Sequence, residues 1–225
     1  MTMTTAQKNA SLPYGIIFDM DGVLVDSEAY ICRAGCQMFK ELGLTVRPED
    51  FTPFIGTGEN RFLGGVAEKY NFPVDIEQIK KRTYDIYLEI IKGSLKPLPG
   101  VNAFIEKCKA QGKKLAVASS ADRRKVTGNL HEIGLSLQQF EAVIVGEDVE
   151  HKKPAPDIFL LAAKRLAIPP EACLVIEDAV SGVTAAKAAG ARCLALTTSF
   201  DREQLHHADF WAENLATAPD EVLCW

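Results

Sequence analysis

Five short runs of apolar residues recur along the chain, each bounded by polar or glycine positions. They are rich in isoleucine, valine and leucine, and the apolar positions do not alternate with polar ones. Strands that are buried on both faces of a parallel sheet show this pattern. The predicted strands are Gly15–Phe18, Leu115–Ala118, Ala142–Val145, Cys173–Ile176 and Arg192–Leu196.

Helical patterns separate the last four of these runs. The predicted helices cover residues 122–133, 156–166 and 181–190, and the last is expected to begin at Ser181, a residue type that often caps helices, and to end at Gly190. A further edge strand is expected at 208–211. Strands that alternate with helices at this spacing form βαβ units. The sequence therefore predicts an α/β fold with a doubly wound parallel sheet.

The gap between the first two runs is too long for one crossover helix. Residues 28–97 contain helical patterns at 30–42, 60–70 and 76–91 and no convincing strand pattern, and Pro97, Pro99 and Gly100 then mark a return to the first pattern. We interpret residues 28–97 as an inserted helical cap domain. Residues 1–27 and 98–225 would then form the α/β catalytic core.

Composition and charge narrow the class of protein. Of the 225 residues, 47% are hydrophobic and 24% are charged, which is ordinary for a globular protein. The net charge of −5 argues against a nucleic-acid partner, and no apolar run is long enough to span a membrane. None of the six cysteines forms a CxxC pair. We expect a reduced, cytoplasmic protein, and we expect it to be a monomer.

Polar side chains follow four of the five predicted strands. Asp19, Asp21 and Gly22 follow the first, Ser119 and Ser120 end the second, Lys153 lies beyond the third, and Glu177 and Asp178 end the fourth. Ligands of open α/β sheets bind beyond the carboxyl ends of the strands. Each short motif is weak alone, because acidic pairs, serines and lysines are common on surfaces. Their joint placement at one sheet edge predicts a functional site.

Electrostatics suggests what this site binds. Asp19, Asp21, Glu177 and Asp178 would repel one another without a compensating cation, and oxygen ligands of this kind suit Mg²⁺. Ser119 and the backbone N–H groups after it would form an anion site at a helix N-terminus, and a lysine would add positive charge. Asp19 could then attack phosphorus and Asp21 could handle the proton of the leaving group.

The motifs resemble those of the haloacid dehalogenase-like hydrolase superfamily. Asp19–Ser27 (DMDGVLVDS) resembles the first motif, and Ser119, Lys153-Pro154 and Glu177-Asp178 resemble the others in order and spacing. Lys153–Phe159 and Ile176–Val183 resemble the branch that holds β-phosphoglucomutases and sugar-phosphate phosphatases. The resemblance implies a Rossmann-like core with a helical cap, and a phosphorylated small metabolite as the partner.

The resemblance also implies roles for individual residues. Asp19 would be the nucleophile and Asp21 the general acid and later the base, a residue that argues against dehalogenation. The implied phosphate-binding residues are Gly22, Ser119, Ser120 and Lys153. The implied Mg²⁺ ligands are Asp19, the backbone carbonyl of Asp21, Asp178 and, directly or through water, Glu177.

Two cap positions bear on the choice between hydrolysis and phosphate transfer within one sugar. Where β-phosphoglucomutases have a histidine and a phosphate-binding arginine, this chain has Ile31 and Glu59. Arg61 could replace the arginine after a small shift in register, so Glu59 and Arg61 are candidate substrate contacts. These departures favour a Mg²⁺-dependent phosphatase. A phosphosugar mutase and a non-catalytic binding module are the alternatives.

Overall fold

The structure is a computed structural model that describes residues 14–54 and 58–224, without the side chain of Glu59. Within these ranges the sheet has six strands, all parallel, in the order β3-β2-β1-β4-β5-β6. The strands are β1 Gly15–Phe18, β2 Lys114–Ala118, β3 Ala142–Ile144, β4 Cys173–Glu177, β5 Arg192–Leu196 and β6 Phe210–Ala212. This order is that of a Rossmann-like, doubly wound sheet, so the predicted fold class is confirmed.

The central strand β1 shows how the sheet is buried on both faces. Its Phe18 lies in register with Val117 of β2 on one side and with Ile176 of β4 on the other. Successive side chains of a strand point to opposite faces. Ile16 and Phe18 accordingly enter one apolar cluster and Ile17 enters the other, and all three are fully buried.

Seven helices accompany the strands in the described part of the chain. They are α1 Glu28–Glu41, α2 Glu59–Lys69, α3 Ile76–Ile91, α4 Val101–Ala110, α5 Arg123–Glu132, α6 Asp157–Leu166 and α7 Val180–Ala188. The predicted helices match six of these within a few residues. Helix α4, which follows the turn at Gly100, was not predicted. None of the described helices is both long and apolar enough to cross a membrane.

The predicted start of α7 at Ser181 is wrong. The helix begins at Val180 and its N-cap residue is Ala179, whose side chain cannot accept a hydrogen bond. The carboxylate of Glu177 lies just before the helix, where it accepts hydrogen bonds from the backbone N–H groups of Asp178 at 2.9 Å and of the N-cap residue Ala179 at 3.0 Å. A carboxylate near the N-terminus of a helix also complements the helix dipole.

Helices α1, α2 and α3 form an insertion between β1 and β2, which we call the helical insertion (residues 28–97). The two connections that enter and leave it run side by side, because the N–H of Leu98 donates to the carbonyl of Leu24 at 2.9 Å. Helix α3 packs on core helix α5, where Lys80 pairs with Asp122 at 3.3 Å. That residues 28–97 form a separate domain stays a prediction.

Candidate active site

The site lies where the strand order reverses, between β1 and β4. Asp19 directly follows β1, and its backbone N–H donates to the carbonyl of Ile176 in β4 at 2.9 Å. Glu177 is the last residue of β4 and Asp178 follows it. Parallel pairing brings the carboxyl ends of both strands to one edge of the sheet. The register of two central strands therefore brings these carboxylates together.

A cavity of about 160 Å³ opens at this edge. Its core wall contains most of the predicted core-site residues, which are Asp19, Asp21, Ser119, Ser120, Lys153, Glu177 and Asp178. The helical insertion contributes Glu28, Ile31, Phe54, Gly58 and Phe62. The cavity therefore lies between a polar core wall and a largely apolar insertion wall.

Three carboxylates converge in the core wall. One oxygen each from Asp19, Glu177 and Asp178 lies within 4.8 Å of the others, and all three residues are buried. Lys153 is buried with them, and its Nζ donates to Oδ1 of Asp19 at 2.5 Å and to Oε1 of Glu177 at 2.6 Å. The lysine therefore contacts two of the three carboxylates, and it also lines the cavity.

Burial and mutual repulsion change the acidity of this cluster. Burial, with a smaller contribution from the charge of Glu177, raises the pKa of Asp19 to about 7, although Lys153 opposes the rise. Burial likewise raises the pKa of Asp178 to about 8, with Glu177 and Asp19 adding to the effect. Burial alone would lower the pKa of Lys153, but the two carboxylates outweigh it and raise that pKa. The negative charge of the three carboxylates, when they are ionised, exceeds the single positive charge of Lys153.

Two glycines make room for the carboxylates. A Cβ on Gly22 would lie 1.9 Å from Oδ2 of Asp178, and a Cβ on Gly182 would lie 1.8 Å from Oε1 of Glu177. Gly22 also has a φ of +75°, a conformation that glycine adopts without strain. Gly22 thus lies behind the carboxylate cluster, and the described cavity lining does not include it.

The donor set fits a hard divalent cation. It consists of carboxylate oxygens held close together in a buried pocket that glycines leave open, and Mg²⁺ is usually bound by one or two carboxylates, waters and substrate phosphate. Asp178 is fixed on its outer side by the hydroxyl of Ser199, which donates to Oδ2. The hydroxyl of Thr198 donates to the carbonyl of Gly22 at 2.6 Å, so the same loop supports both residues.

The predicted anion site lies across the cavity at the end of β2. Ser119 is buried, and its hydroxyl oxygen accepts a hydrogen bond from the N–H of Ala121 at 3.2 Å. Asp122 then caps α5 as its N-cap residue. Ser120 and Ala121 also line the cavity. The turn between β2 and α5 thus brings Ser119, Ser120 and Ala121 to the same cavity as the carboxylates, and that it binds an anion stays a prediction.

Asp21 is held by two residues that the sequence analysis did not select. The hydroxyl of Ser27 donates to its Oδ1, and Nζ of Lys125 donates to its Oδ2 at 2.8 Å. Lys125 lies on α5 and is buried there with Val126 and Asn129. A signal was present in the sequence, because the stripe of α5 that faces the protein includes a lysine and an asparagine among apolar residues.

The three cap positions discussed in the sequence analysis, Ile31, Glu59 and Arg61, differ in where the structure places them. Ile31 lines the cavity. The side chain of Glu59 lies outside the described residues. Arg61 is not among the described residues that line the cavity; it pairs with Glu68 of its own helix at 2.6 Å and lies over the ring of Phe54, 5.0 Å from its centroid. With its side chain 51% exposed, Arg61 is placed as a surface residue of α2.

Comparisons with known proteins identify the family of the chain. The model of the family "Haloacid dehalogenase-like hydrolase" matches residues 16–196. Protein SUPPRESSOR OF QUENCHING 1, chloroplastic, of Arabidopsis thaliana is 47% identical over 199 residues, which are 86% of this chain and 19% of that protein. The chain thus spans about a fifth of that relative's length. The phosphorylated carbohydrates phosphatase of Thermotoga maritima is 34% identical over 175 residues, 78% of this chain and 81% of that one.

Solved structures with the same fold include CbbY from Rhodobacter sphaeroides. Its complex with phosphate has a TM-score of 0.80 and its complex with xylulose-(1,5)bisphosphate one of 0.81, each at 27% identity over 91% of this chain and 96% of that chain. The family match covers the carboxylate cluster and strands β1 to β5 from residue 16 onward. The chain therefore belongs to the haloacid dehalogenase-like hydrolase family.

Proposed function

We propose that the chain is a Mg²⁺-dependent phosphatase that hydrolyses a small phosphomonoester, a sugar phosphate or a related metabolite, through an aspartyl-phosphate intermediate. The observation that carries the proposal is the convergence of Asp19, Glu177 and Asp178 within 4.8 Å, in a cavity that Asp21 and Ser119 also line. The phosphatase among the relatives and the phosphate-bound CbbY structure support the reaction class.

The first half of the reaction transfers the phosphoryl group to the protein. The phosphate lies against the turn of Ser119 and Ser120, and Lys153 adds a fixed positive charge. A carboxylate oxygen of Asp19 forms a bond to phosphorus while the bond to the leaving oxygen breaks, and Asp21 gives that oxygen a proton. Covalent capture by a carboxylate divides one difficult displacement into two easier ones.

The second half releases inorganic phosphate. Asp21, now ionised, takes a proton from a water molecule, whose oxygen attacks phosphorus and breaks the bond to Asp19. The residues that would hold Mg²⁺ are Asp19, Asp178 and the backbone carbonyl of Asp21, with Glu177 direct or through water. When bound, the cation neutralises charge on the phosphate and the carboxylates.

The insertion wall supports hydrolysis over phosphate transfer between two positions of a sugar. A mutase must hold a second phosphate at the far end of its cavity. Gly58 has no side chain, and the other described residues of that wall are the apolar Ile31, Phe54 and Phe62 and the acidic Glu28, so no described side chain of the wall would bind a phosphate. This arrangement suits a leaving group that is uncharged at its far end.

The test is a panel of phosphorylated metabolites, assayed for phosphate release with Mg²⁺ and with a chelator. We expect phosphate release with Mg²⁺ and not with the chelator. Asp19→Asn should lower the rate of release by at least about 10⁴-fold, since removing a nucleophile removes the covalent route. Asp26→Asn is the matched control, because Asp26 is an exposed aspartate in the same segment. Formation of glucose 6-phosphate from glucose 1-phosphate would favour the mutase, and full activity of Asp19→Asn would refute the proposal.

The location of the protein and its oligomeric state stay predictions. The expectation of a cytoplasmic monomer rests on the sequence, and one relative bears the word chloroplastic in its name.

A further inference from the structure

Lys125 is a buried cation that contacts Asp21 but has no part in the reaction steps proposed above. Its side chain is 8% exposed and its Nζ lies 2.8 Å from Oδ2 of Asp21, whose side chain is 36% exposed. Burying an ammonium group costs several kcal/mol unless it is paired. A leucine at this position of α5 would pack without that cost. The position of Lys125 therefore needs an explanation beyond packing.

The contact fixes both oxygens of the Asp21 carboxylate. Ser27 donates to Oδ1 from the segment after β1, and Lys125 donates to Oδ2 from α5, so the two donors come from different elements. An ammonium group has three donors and no acceptor. Lys125 can therefore set the direction of the carboxylate, but while charged it cannot accept the proton that Asp21 transfers.

A tyrosine of the helical insertion connects to the residues that hold Asp21, which are Ser27 and Lys125. Tyr87 of α3 is fully buried, and its hydroxyl donates to Oδ1 of Asn129 at 2.5 Å. Asn129 lies one helical turn after Lys125 on the same face of α5. Burial raises the pKa of Tyr87 to about 12, and the positive charge of Lys125 is the largest of the effects that oppose this rise.

The helices that carry this network approach closely. A Cβ on Gly128 of α5 would lie 2.3 Å from Cδ2 of Leu88 in α3. Arg124 of α5 pairs with Asp85 of α3 and donates to the carbonyl of Lys81 at 3.1 Å. A change in how α3 sits on α5 would therefore move Tyr87, and with it the turn that carries Lys125.

We propose that Lys125 is a positioning residue for Asp21. Tyr87 holds the turn of α5 that carries Lys125, so the packing of the helical insertion on α5 sets the direction of the carboxylate that transfers the proton. The inference rests on the roles proposed above for Asp19 and Asp21. It predicts that loss of Lys125 impairs proton delivery to the leaving group more than it impairs attack on phosphorus.

The experiment compares two esters that differ in their need for that proton. Para-nitrophenyl phosphate releases an anion stabilised by the nitro group, whereas phenyl phosphate releases a phenolate whose conjugate acid has a pKa near 10, as for tyrosine. General acid catalysis contributes about 10²–10⁴-fold where it is needed. We expect Lys125→Met to lower kcat/KM by at least about 10-fold more for phenyl phosphate than for para-nitrophenyl phosphate.

Further variants test the position and the link to the insertion. Lys125→Arg should bring the ratio of the two kcat/KM values most of the way back to that of the wild type, because it keeps a buried donor cation. Tyr87→Phe should shift the ratio of the two kcat/KM values in the same direction, by about 3-fold, because it removes one hydroxyl and keeps the ring. Arg123→Met is the matched control: it removes an exposed cation of the same helix that pairs with Asp148 and not with α3, and we expect it to leave the ratio unchanged.

The outcomes separate the inference from the function on which it rests. Equal losses on both esters in Lys125→Met, in protein that melts as the wild type does, would reduce Lys125 to a structural residue and overturn the inference. An unchanged ratio in Tyr87→Phe would remove the link to the insertion. Wild-type protein that releases phosphate from neither ester, nor from any compound of the metabolite panel, would refute the proposed function and the inference together.

Discussion

The two walls of the cavity differ in the chemistry of their side chains. The core wall contains Asp19, Lys153, Glu177 and Asp178, all buried or nearly so, and Lys153 donates hydrogen bonds to both Asp19 and Glu177. The described insertion wall is mainly Ile31, Phe54 and Phe62. Buried charges must be held in place by many fixed partners, whereas apolar side chains pack against many shapes. The difference suggests that the core wall performs the chemistry and the insertion wall selects the leaving group.

The largest effect we expect comes from crowding the core wall. Gly22→Ala would place a Cβ 1.9 Å from Oδ2 of Asp178 and would force a φ of +75° on alanine. Displacing a reacting group by about 1 Å can cost about 10²-fold in rate, so kcat/KM should fall by about that factor. Steady-state assays of phosphate release would measure the loss.

Gly43→Ala is the control for this variant. Gly43 has a φ of +86° and nothing within 4 Å of a Cβ built on it, so it carries the same kind of backbone strain without the carboxylate overlap. Both variants should lose about 1–2 kcal/mol of stability, but Gly43→Ala should keep wild-type kinetics. Equal activity of the two variants would show that Asp178 can move without consequence.

The next largest effect concerns the charge balance of the core wall. Without a bound cation, burial raises the pKa of Asp19 from 3.8 to about 7 and that of Asp178 from 3.8 to about 8. The folded state then binds more protons than the unfolded state between these values, so stability should fall as the pH rises from about 4 to 8. Mg²⁺ binds the ionised carboxylates and should oppose this fall.

Thermal unfolding with a chelator and with Mg²⁺ would measure that effect. At a Mg²⁺ concentration 100 times its Kd the stabilisation is about 2.7 kcal/mol, which raises Tm by roughly 5–10 °C in a protein of this size. The gain should be larger at pH 8 than at pH 5, and Asp178→Asn should reduce it strongly. A gain that is the same at both pH values would argue against ionised carboxylates as the ligands.

A smaller effect is expected from the insertion wall. Phe54→Ala removes part of the surface that would contact the leaving group, and apolar contacts of this kind contribute about 1–3 kcal/mol to discrimination. We expect kcat/KM for the best substrate of the metabolite panel to fall about 10-fold, mainly through KM. Inhibition by inorganic phosphate should change less than about 2-fold, because phosphate would contact the core wall alone.

Leu42→Ala is the matched truncation outside the cavity. Leu42 lies at the end of α1 in the same insertion and is 48% exposed, and we expect it to change neither constant. If Phe54→Ala weakened phosphate inhibition as much as it raised KM, the division of labour between the two walls would be wrong.

The same contrast explains what could be predicted from the sequence. Each core-site residue directly follows a buried apolar run or lies a few residues beyond one, and parallel strands place such residues at one edge. The positions of Asp19, Ser119 and Glu177 therefore follow from local patterns. These local patterns were enough to predict the site because the pairing of the strands brings residues that are distant along the chain together.

Residues placed by helix packing were not predicted. Lys125 reaches Asp21 because α5 packs behind the cavity, and Tyr87 reaches Asn129 because α3 packs on α5. No spacing rule relates these positions along the chain. Arg61, which was selected because a small shift in register could let it replace the phosphate-binding arginine of β-phosphoglucomutases, pairs with Glu68 of its own helix. Side chains of helices depend on tertiary packing, and the sequence pattern fixes only which face is apolar.

The smallest effect on activity is expected from a buried charge inside the insertion. Asp50 is 1% exposed, and its carboxylate accepts hydrogen bonds from Lys69 at 2.6 Å, from the Tyr70 hydroxyl at 2.7 Å and from the N–H of Arg47 at 2.8 Å. These bonds, Lys69 first, hold the pKa of Asp50 well below its ordinary value. The network therefore stabilises the fold above the unfolded pKa near 4, and this stability is lost as the pH falls below it.

Asp50→Asn should accordingly separate stability from chemistry. We expect a loss of about 1–3 kcal/mol in the free energy of unfolding at neutral pH, with kcat/KM changed less than about 2-fold, because no described residue of this network lines the cavity. Glu68→Gln is the control: its exposed pair with Arg61 on the same helix should be worth under about 1 kcal/mol. Denaturant unfolding at pH 7 and pH 3 would measure both, and the difference between wild type and Asp50→Asn should shrink at pH 3. A large kinetic defect in Asp50→Asn would show that the frame of the insertion also controls the reaction, and the two walls could then no longer be treated as independent.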